Sequence, residues 1–523
     1  MLTTPTPAAD WMIVLPVLLP LICGALLIAL RAVREFYWIA AAVVALAVLG
    51  VDLELFRRTL ATGPMSMTMG NWPPPFGISF TADAMGAGFA ATAAFVTLAV
   101  ILYMQGEERH DRPAAFYPLT LLLLAGVSGA FLTGDMFNLY VWFEVMLIAS
   151  FGLMVQGGTP LQLDGTVKYG FLNFLATVFF LLALGLLYGL VGTLNMADVM
   201  RVAPTANGAA MAGIAALLLL AFGMKAAAFP VNAWLPASYH TPPAAISALL
   251  AGLLTKVGVY ALLRSLVMLL PQSRDVLEPV LAIVAVLTLL IAPLGAIAET
   301  NLRRALGFMV IGGIGAAMLG IAVPNTNGVA GAAVYIFHAM LTMTGLYLAA
   351  GVIEKATGAT DTRQMGGLYA ANTPLSIVFL VLVMAIAGVP PFLGFWPKLL
   401  LLEGGLDASG LVTGSIDWMA LALSGALLVN ALLTLVAGIR LWGHVFWREG
   451  REGAASEEPN PGLRPLGRRQ AVFGLGATVA VTLAVVLAGM LPGALLELGR
   501  SAALDLLDPA AYLAAVGLPE AAP

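Results

Sequence analysis

Apolar residues run along this chain in long stretches, broken by short clusters of Gly, Pro, Asp, Asn and Arg. A helix needs about 20 apolar residues to cross a hydrocarbon core of ~30 Å. On that measure the pattern predicts fourteen spans, near 11–30, 36–55, 79–104, 116–134, 136–156, 166–193, 209–229, 243–264, 276–299, 305–322, 329–352, 375–403, 417–446 and 471–495. The first follows Asp10 rather than a basic segment, so it reads as a retained span and not a cleaved leader. The fold class is an all-α polytopic membrane protein.

Two spans contain breakers. Lys225 stands five residues before Pro230, with Pro236, Pro242 and Pro243 following, and Gly388-Val389-Pro390-Pro391 is followed by Gly394 and Lys398. Broken helices are tolerated at membrane depth where they line a hydrated cavity, and matched breaks in two halves point to an inverted repeat. The longest polar loops are Arg57 to Ser79, with its Trp72-Pro73-Pro74-Pro75 turn, and the 448–470 segment. After Pro492 the alternation of apolar runs with Glu497, Arg500, Asp505 and Asp508 predicts an interfacial amphipathic helix.

Composition agrees: of 523 residues, 61% are hydrophobic and 10% charged, against about 25% charged in soluble domains. An even number of spans puts both termini on one side. Arg31, Arg34, Arg109, Arg112, Arg303, Arg304, Lys355, Arg363, Arg440, Arg448, Arg451, Arg464, Arg468 and Arg469 fall on one side of the predicted topology. Arg57, Arg58, Arg201, Arg264, Arg274 and Arg500 fall on the other. Because cytoplasmic loops collect Lys and Arg, this imbalance predicts both termini outside a cell membrane.

Counting also removes functions. One cysteine, Cys23, and four scattered histidines, His110, His240, His338 and His444, supply no thiolate cluster or paired-histidine haem site, so no cofactor is predicted. None of the five lysines follows a glycine, which excludes a Walker A loop. A net charge of −4 without a long basic run gives no footprint for nucleic acid.

The positive signal is the separation of the two cations. All nineteen arginines fall at or near predicted span ends, whereas four of the five lysines, Lys168, Lys225, Lys256 and Lys398, fall inside apolar stretches. Arginine is effectively always charged, but a desolvated lysine can release its proton. With Glu144 and His338 these lysines form a candidate proton relay, since intramembrane ionisable groups are costly and functional by default. Glu144, eight residues into its span, lies ~12 Å deep and needs a cationic partner, for which Lys225 is the candidate. The bland alternatives are a static Glu144–Lys225 pair, snorkelling of Lys168 and Lys256 to an interface, and His338 as a packing residue. Asp83 and Asp135 read as helix-end residues, and Lys355 as a surface cation.

These residues carry a resemblance. Glu144 in the fifth span, Lys225 before a proline break, Lys256 in the eighth span and Lys398 after a second break resemble the antiporter-like subunits shared by Mrp-type sodium/proton antiporters and the membrane arm of NADH:quinone oxidoreductase. The run Thr133-Gly134-Asp135-Met136-Phe137-Asn138-Leu139-Tyr140-Val141-Trp142-Phe143-Glu144, then Gly157-Gly158-Thr159 and Gly192-Thr193-Leu194-Asn195-Met196-Ala197-Asp198, is similar to the D-type Mrp subunits. The resemblance implies N-terminal spans in 1–115, inverted five-helix repeats at 116–264 (broken near Pro230) and 276–446 (broken near Pro390 and Pro391), and a last span with tail at 471–523.

It further implies a relay through Glu144, Lys225, Lys256, His338 and Lys398; Lys168, His240 and Thr342 are candidate accessories beside it. Many relatives have a lysine where this chain has Thr342. The implied function is a proton-translocating subunit of a multisubunit sodium/proton antiporter, a secondary transporter without bond chemistry. Its implied partners are the A, B, C, E, F and G types of Mrp subunit, with sodium handled by the complex. A pump subunit of a quinone-linked redox complex and a non-conducting scaffold are the alternatives.

Overall fold

A computed structural model describes residues 7–107, 113, 115–411, 414–448 and 462–518, and these are almost entirely helical. Arg109, His110, Arg112, Arg451 and most of the 448–470 loop lie outside the described residues. The first helices are α1 (Leu15–Ala29), α2 (Tyr37–Thr62), α3 (Ala84–Met104), α4 (Phe116–Leu132), α5 (Met136–Val155) and α6 (Pro160–Val191). There follow α7 (Gly208–Ala226), α8 (Ala244–Leu269), α9 (Pro271–Ala298), α10 (Leu302–Ala322) and α11 (Thr326–Thr357). The last are α12 (Thr373–Ala387), α13 (Phe395–Ala408), α14 (Trp418–Trp442), α15 (Gln470–Met490), α16 (Gly493–Leu507) and α17 (Ala510–Val516).

Among the described residues twelve helices are long and apolar enough to cross a bilayer, and α4 and α12 are shorter apolar helices. All fourteen predicted segments are helical, but α12 stops at the second proline break and α4 has only 17 residues. Helix starts follow from local chemistry, since short polar side chains satisfy the free N–H groups of a first turn. Asp135 accepts from Asn138 N at 2.8 Å, Asn207 from Ala210 N at 3.1 Å, and Thr159 with Gln162 forms a capping box at α6.

Burial sorts the helices into a core and a rim. The most apolar window of α8 is fully buried, and those of α10 and α11 nearly so, whereas α2, α6 and α15 turn bare apolar flanks outward. Val167, Phe171 and Phe174 on α6 are more than half exposed. Such a surface is stable only against lipid or a partner.

Two expectations are corrected. The loop from Arg57 to Ser79 contains an antiparallel hairpin, β1 (Met65–Thr68) with β2 (Ser79–Ala82), paired Met65 to Ala82 and Thr68 to Ser79. Its four-residue strands are too short for their alternation to stand out against the apolar background. The tail is not a lone surface helix. The buried stripe of α16, including Leu498, Gly499 and Ala502, packs on α11, and α17 packs on β1. The helical turn Ala8–Val14 also packs on the hairpin, so both described ends share one face of the bundle.

Close approach of α10 to α11 relies on Gly320. A Cβ there would fall 2.1 Å from the Gly328 carbonyl oxygen and 2.8 Å from Ala332 Cβ. Gly320→Val should lower stability by about 1–3 kcal/mol, read as a lower thermal midpoint of the detergent-purified protein, while Gly425→Val, at a site with open space, should not.

Candidate functional site

Three lysines lie buried inside the bundle, each beside an irregularity of the backbone. Lys225 is in the last turn of α7, where the chain leaves helical form; Ala227 is left-handed with φ +63°. The chain resumes in a short helix, Trp234–Ser238, before α8 begins. Lys225 Nζ donates to Thr177 Oγ1 at 3.0 Å and lies 4.7 Å from the centre of the Phe143 ring, a cation–π contact. A cavity of about 20 Å³ adjoins it, lined by Phe143, Tyr169, Asn173 and Trp234, with room for one water.

Lys256 lies in α8, just after a wide π-type turn at Leu250–Leu254, and its ammonium donates to the Ala251 carbonyl. Such turns loosen the backbone ladder and are common at functional sites. Gly258, on the same helix, meets α7 at Lys225 and Ala226: a Cβ there would lie 2.9 Å from Ala226 N.

Lys398, in α13, donates to the carbonyls of Ile386 at 2.9 Å and Ala387 at 2.8 Å. These are the last residues of α12, whose carbonyls have no partner within their own helix. The negative end of the helix dipole adds to the attraction. Gly388 turns the chain there with φ +86°, and a side chain on it would strike Lys398 Cδ at 2.7 Å.

His338, fully buried in α11, shares a hydrogen bond between Nδ1 and Thr342 Oγ1 at 3.1 Å. Its Nε2 has no partner and faces Gly394, the N-cap of α13, where a Cβ would lie 2.9 Å away. Both Lys398 and Lys256 lie within electrostatic reach of this imidazole. Thr342 is thus joined to the histidine.

Not every predicted site residue is brought in. Glu144 feels Lys225 electrostatically but forms no ion pair with it, and its Oε1 is buried without a partner. It is half-buried on the flank of α5 that exposes Val141 and Ile148, one turn to either side. The candidate Glu144–Lys225 pair is therefore not closed in this structure. Lys168 is outside the row: its half-exposed ammonium pairs with Asp164 at 2.5 Å on α6. His240 lies past the first break, with Nδ1 2.9 Å from the Pro236 carbonyl.

Two basic residues are not where the sequence pattern puts them. Lys355 is not a free surface cation but pairs with Glu107. Arg264 is not at a span end, because α8 continues to Leu269; it is fully buried and paired with Asp83, the N-cap of α3. The polar stripe Tyr169, Asn173 and Thr177 on α6 gives no signal in the run lengths, although its spacing of four in an apolar helix marks one inward face. Among the described residues no group of three His, Cys, Asp or Glu could hold a metal ion.

Residues 133–424 match the family described as NADH:quinone oxidoreductase/Mrp antiporter, TM. The chain is 36% identical over 445 residues to the D-type Na(+)/H(+) antiporter subunit of Bacillus subtilis, covering 84% of this chain and 88% of that protein. It is 32% identical over 507 residues to the D-type Na(+)/H(+) antiporter subunit of Alkalihalophilus pseudofirmus, covering 97% of this chain and 99% of that one. Its structure superposes on a chain of the Mrp complex from Dietzia sp. DQ12-45-1b with a TM-score of 0.87 and 27% identity, over 98% of this chain and 100% of that chain.

Removing the hydroxyl that holds Lys225 tests the geometry directly. Thr177→Val should cost about 1.5–3 kcal/mol, the range for a hydrogen bond to a charged group, and Thr177→Ser should restore most of it in thermal unfolding of the purified protein.

Proposed function

The chain belongs to the NADH:quinone oxidoreductase/Mrp antiporter family, and from that premise we propose that it is the D-type subunit of a multisubunit sodium/proton antiporter. It passes protons along Glu144, Lys225, Lys256, His338 and Lys398. The observation that carries this reading is the set of three amines at the bundle core, none in an ion pair among the described residues. A permanently charged amine so placed calls for a carboxylate. Amines that have only a hydroxyl or carbonyls for partners suit groups that exchange charged and neutral forms.

The steps follow from the contacts. A proton on Lys225 is held by Thr177 and by the Phe143 face, and gains a full counter-charge only when Glu144 swings inward. With Glu144 outward the ammonium has weaker support and hands its proton toward Lys256. From Lys256 the proton reaches His338, whose free Nε2 accepts it, and then Lys398 beside the second break. Transfer between these groups is carried by water, for which the cavity at Lys225 gives the first station.

Glu144 sits on the rim, so a neighbouring subunit sets its position, and sodium moves elsewhere in the assembly. The two stretches 116–264 and 276–446 act as inverted five-helix units. Each carries a 32-residue third helix, α6 or α11, and then a broken helix. The protein is a transporter subunit of a cell membrane with both termini outside, and its partners are the A, B, C, E, F and G types of subunit. Lys168, His240 and Thr342 are accessories: Thr342 orients His338, His240 stands beyond the first break, and Lys168 faces the neighbour.

Proton-coupled sodium efflux in everted vesicles containing the whole complex provides the test. Lys225→Arg should lose activity at least tenfold, as badly as Lys225→Ala, because arginine keeps its proton. Full activity in Lys225→Arg would reduce Lys225 to a structural cation and favour a scaffold role.

A further inference from the structure

An apolar groove of about 390 Å³ lies between α2, α3, α11, α15 and α16, within the size range of ligand pockets. It exists because the side chains there are small: Gly88, Ala91, Ala484 and Ala488 form its bed. At Gly88 a Cβ would lie 3.2 Å from Leu498 Cδ1 on α16 and 3.3 Å from Phe56 Cε2 on α2, so the two walls converge on this glycine. Leu53 and Leu491 at the lip are 52% and 70% exposed, and the groove opens on the outside of the bundle. α2 lines it from Leu49 to Phe56, α3 from Gly88 to Phe95 and the end of α15 from Ala484 to Leu491, each a run of about 10 Å. Phe95 on α3 and Phe337 on α11 both stand ~16 Å past the starts of their helices. The groove therefore runs from the hairpin face toward the middle of the membrane, and its deep end is Phe337 and Leu341, which flank His338 in sequence.

The mouth carries charge. Leu49, Leu53 and Arg57 recur every fourth residue on α2, which places Arg57 on the groove's own face one turn beyond Leu53. Arg57 and Arg58 share a single carboxylate: Arg57 Nε and Nη2 donate to Glu54 at 2.7 and 2.8 Å, and Arg58 Nε donates to it at 2.8 Å. Two guanidiniums on one carboxylate leave a net positive charge and further N–H donors, the combination that suits a phosphate. On the opposite wall, the exposed Glu497 and Arg500 of α16 balance each other.

We propose that this groove is a binding site for an anionic phospholipid, with one acyl chain on the bed formed by α3 and α15 and the phosphate against Arg57 and Arg58. A flexible hydrocarbon chain suits the space. A helix does not, because it is 10–12 Å across with its side chains and a single turn already fills about 500 Å³. The tail ends on Phe337 and Leu341, so the lipid backs α11 at the level of His338. Lipid tails are as apolar as leucine, and moving one from the bilayer into the groove changes its surroundings little. Selection among lipids therefore falls to the headgroup and to the two arginines. The site does not depend on the relay and is decided by binding.

The probe is phosphatidylglycerol carrying a diazirine at the end of one acyl chain, reconstituted with the whole complex in nanodiscs and photolysed. Label should fall on α3 and α11 around Phe95, Phe337 and Leu341, and unlabelled phosphatidylglycerol should compete about tenfold better than phosphatidylcholine, as a charged hydrogen bond to the headgroup requires. Arg57→Gln with Arg58→Gln, both at the surface, should abolish that preference. Ala488→Trp, which fills the bed, should cut labelling at the three residues by about tenfold with an unchanged thermal midpoint, whereas Leu428→Trp on the bare flank of α14 should not. Equal competition by the two lipids, or labelling that Ala488→Trp leaves intact, would overturn the site and reduce its lipid to ordinary bilayer contact. Label that reaches the groove in the chain purified alone but not in the complex would place a partner subunit there, and would overturn the proposal as well.

Discussion

Everything in this bundle answers to one constraint: in hydrocarbon, a backbone carbonyl without a partner costs several kcal/mol and an isolated charge costs far more, so each must find a partner. The chain breaks its helices at the two proline sites and widens α8 just before Lys256, and so loosens carbonyls inside the bundle. It then brings a lysine to the freed carbonyls at Ala387, Ile386 and Ala251. At Lys256 and Lys398 the irregularity and the amine satisfy each other, whereas Lys225, beside the first break, is held by the Thr177 hydroxyl. Neither is stable alone, so the polar row and the broken backbone are a single feature seen from two sides.

The packing that enforces this is unequal. α8, α10 and α11 are enclosed on all sides and hold Lys256 and His338 in fixed places, while α5 and α6 on the rim hold Glu144 and Lys168 where an adjoining chain can reach them. Glycines set the closest approaches. Gly394 lets the imidazole of His338 stand against the start of α13, and Gly388 makes room for the Lys398 stem. A rigid centre with an adjustable edge suits a device whose state is set from outside.

Most of the architecture could be read from apolar run lengths, because a bilayer imposes one length on every span. The breaks at Pro230 and Pro390 and the depth of the lysines were visible for the same reason. What the run lengths hide is direction around each helix axis. Glu144 stands on the outward flank of α5, and Arg264 is buried rather than terminal because α8 extends past it in a wide turn. Thr177 as the partner of Lys225 is a meeting of residues 48 apart, which no local pattern encodes. The β1–β2 hairpin was lost because four residues are too few to show a period.

The order of the lysine contacts along the chain bears on how the protein is made. Thr177 precedes Lys225, Ala251 precedes Lys256, and Ile386 and Ala387 precede Lys398. A ribosome releasing this polypeptide toward the bilayer has thus already delivered the acceptor before each amine emerges. No ammonium has to wait in lipid for a segment not yet synthesised, and the most polar part of the molecule can assemble in the order of translation.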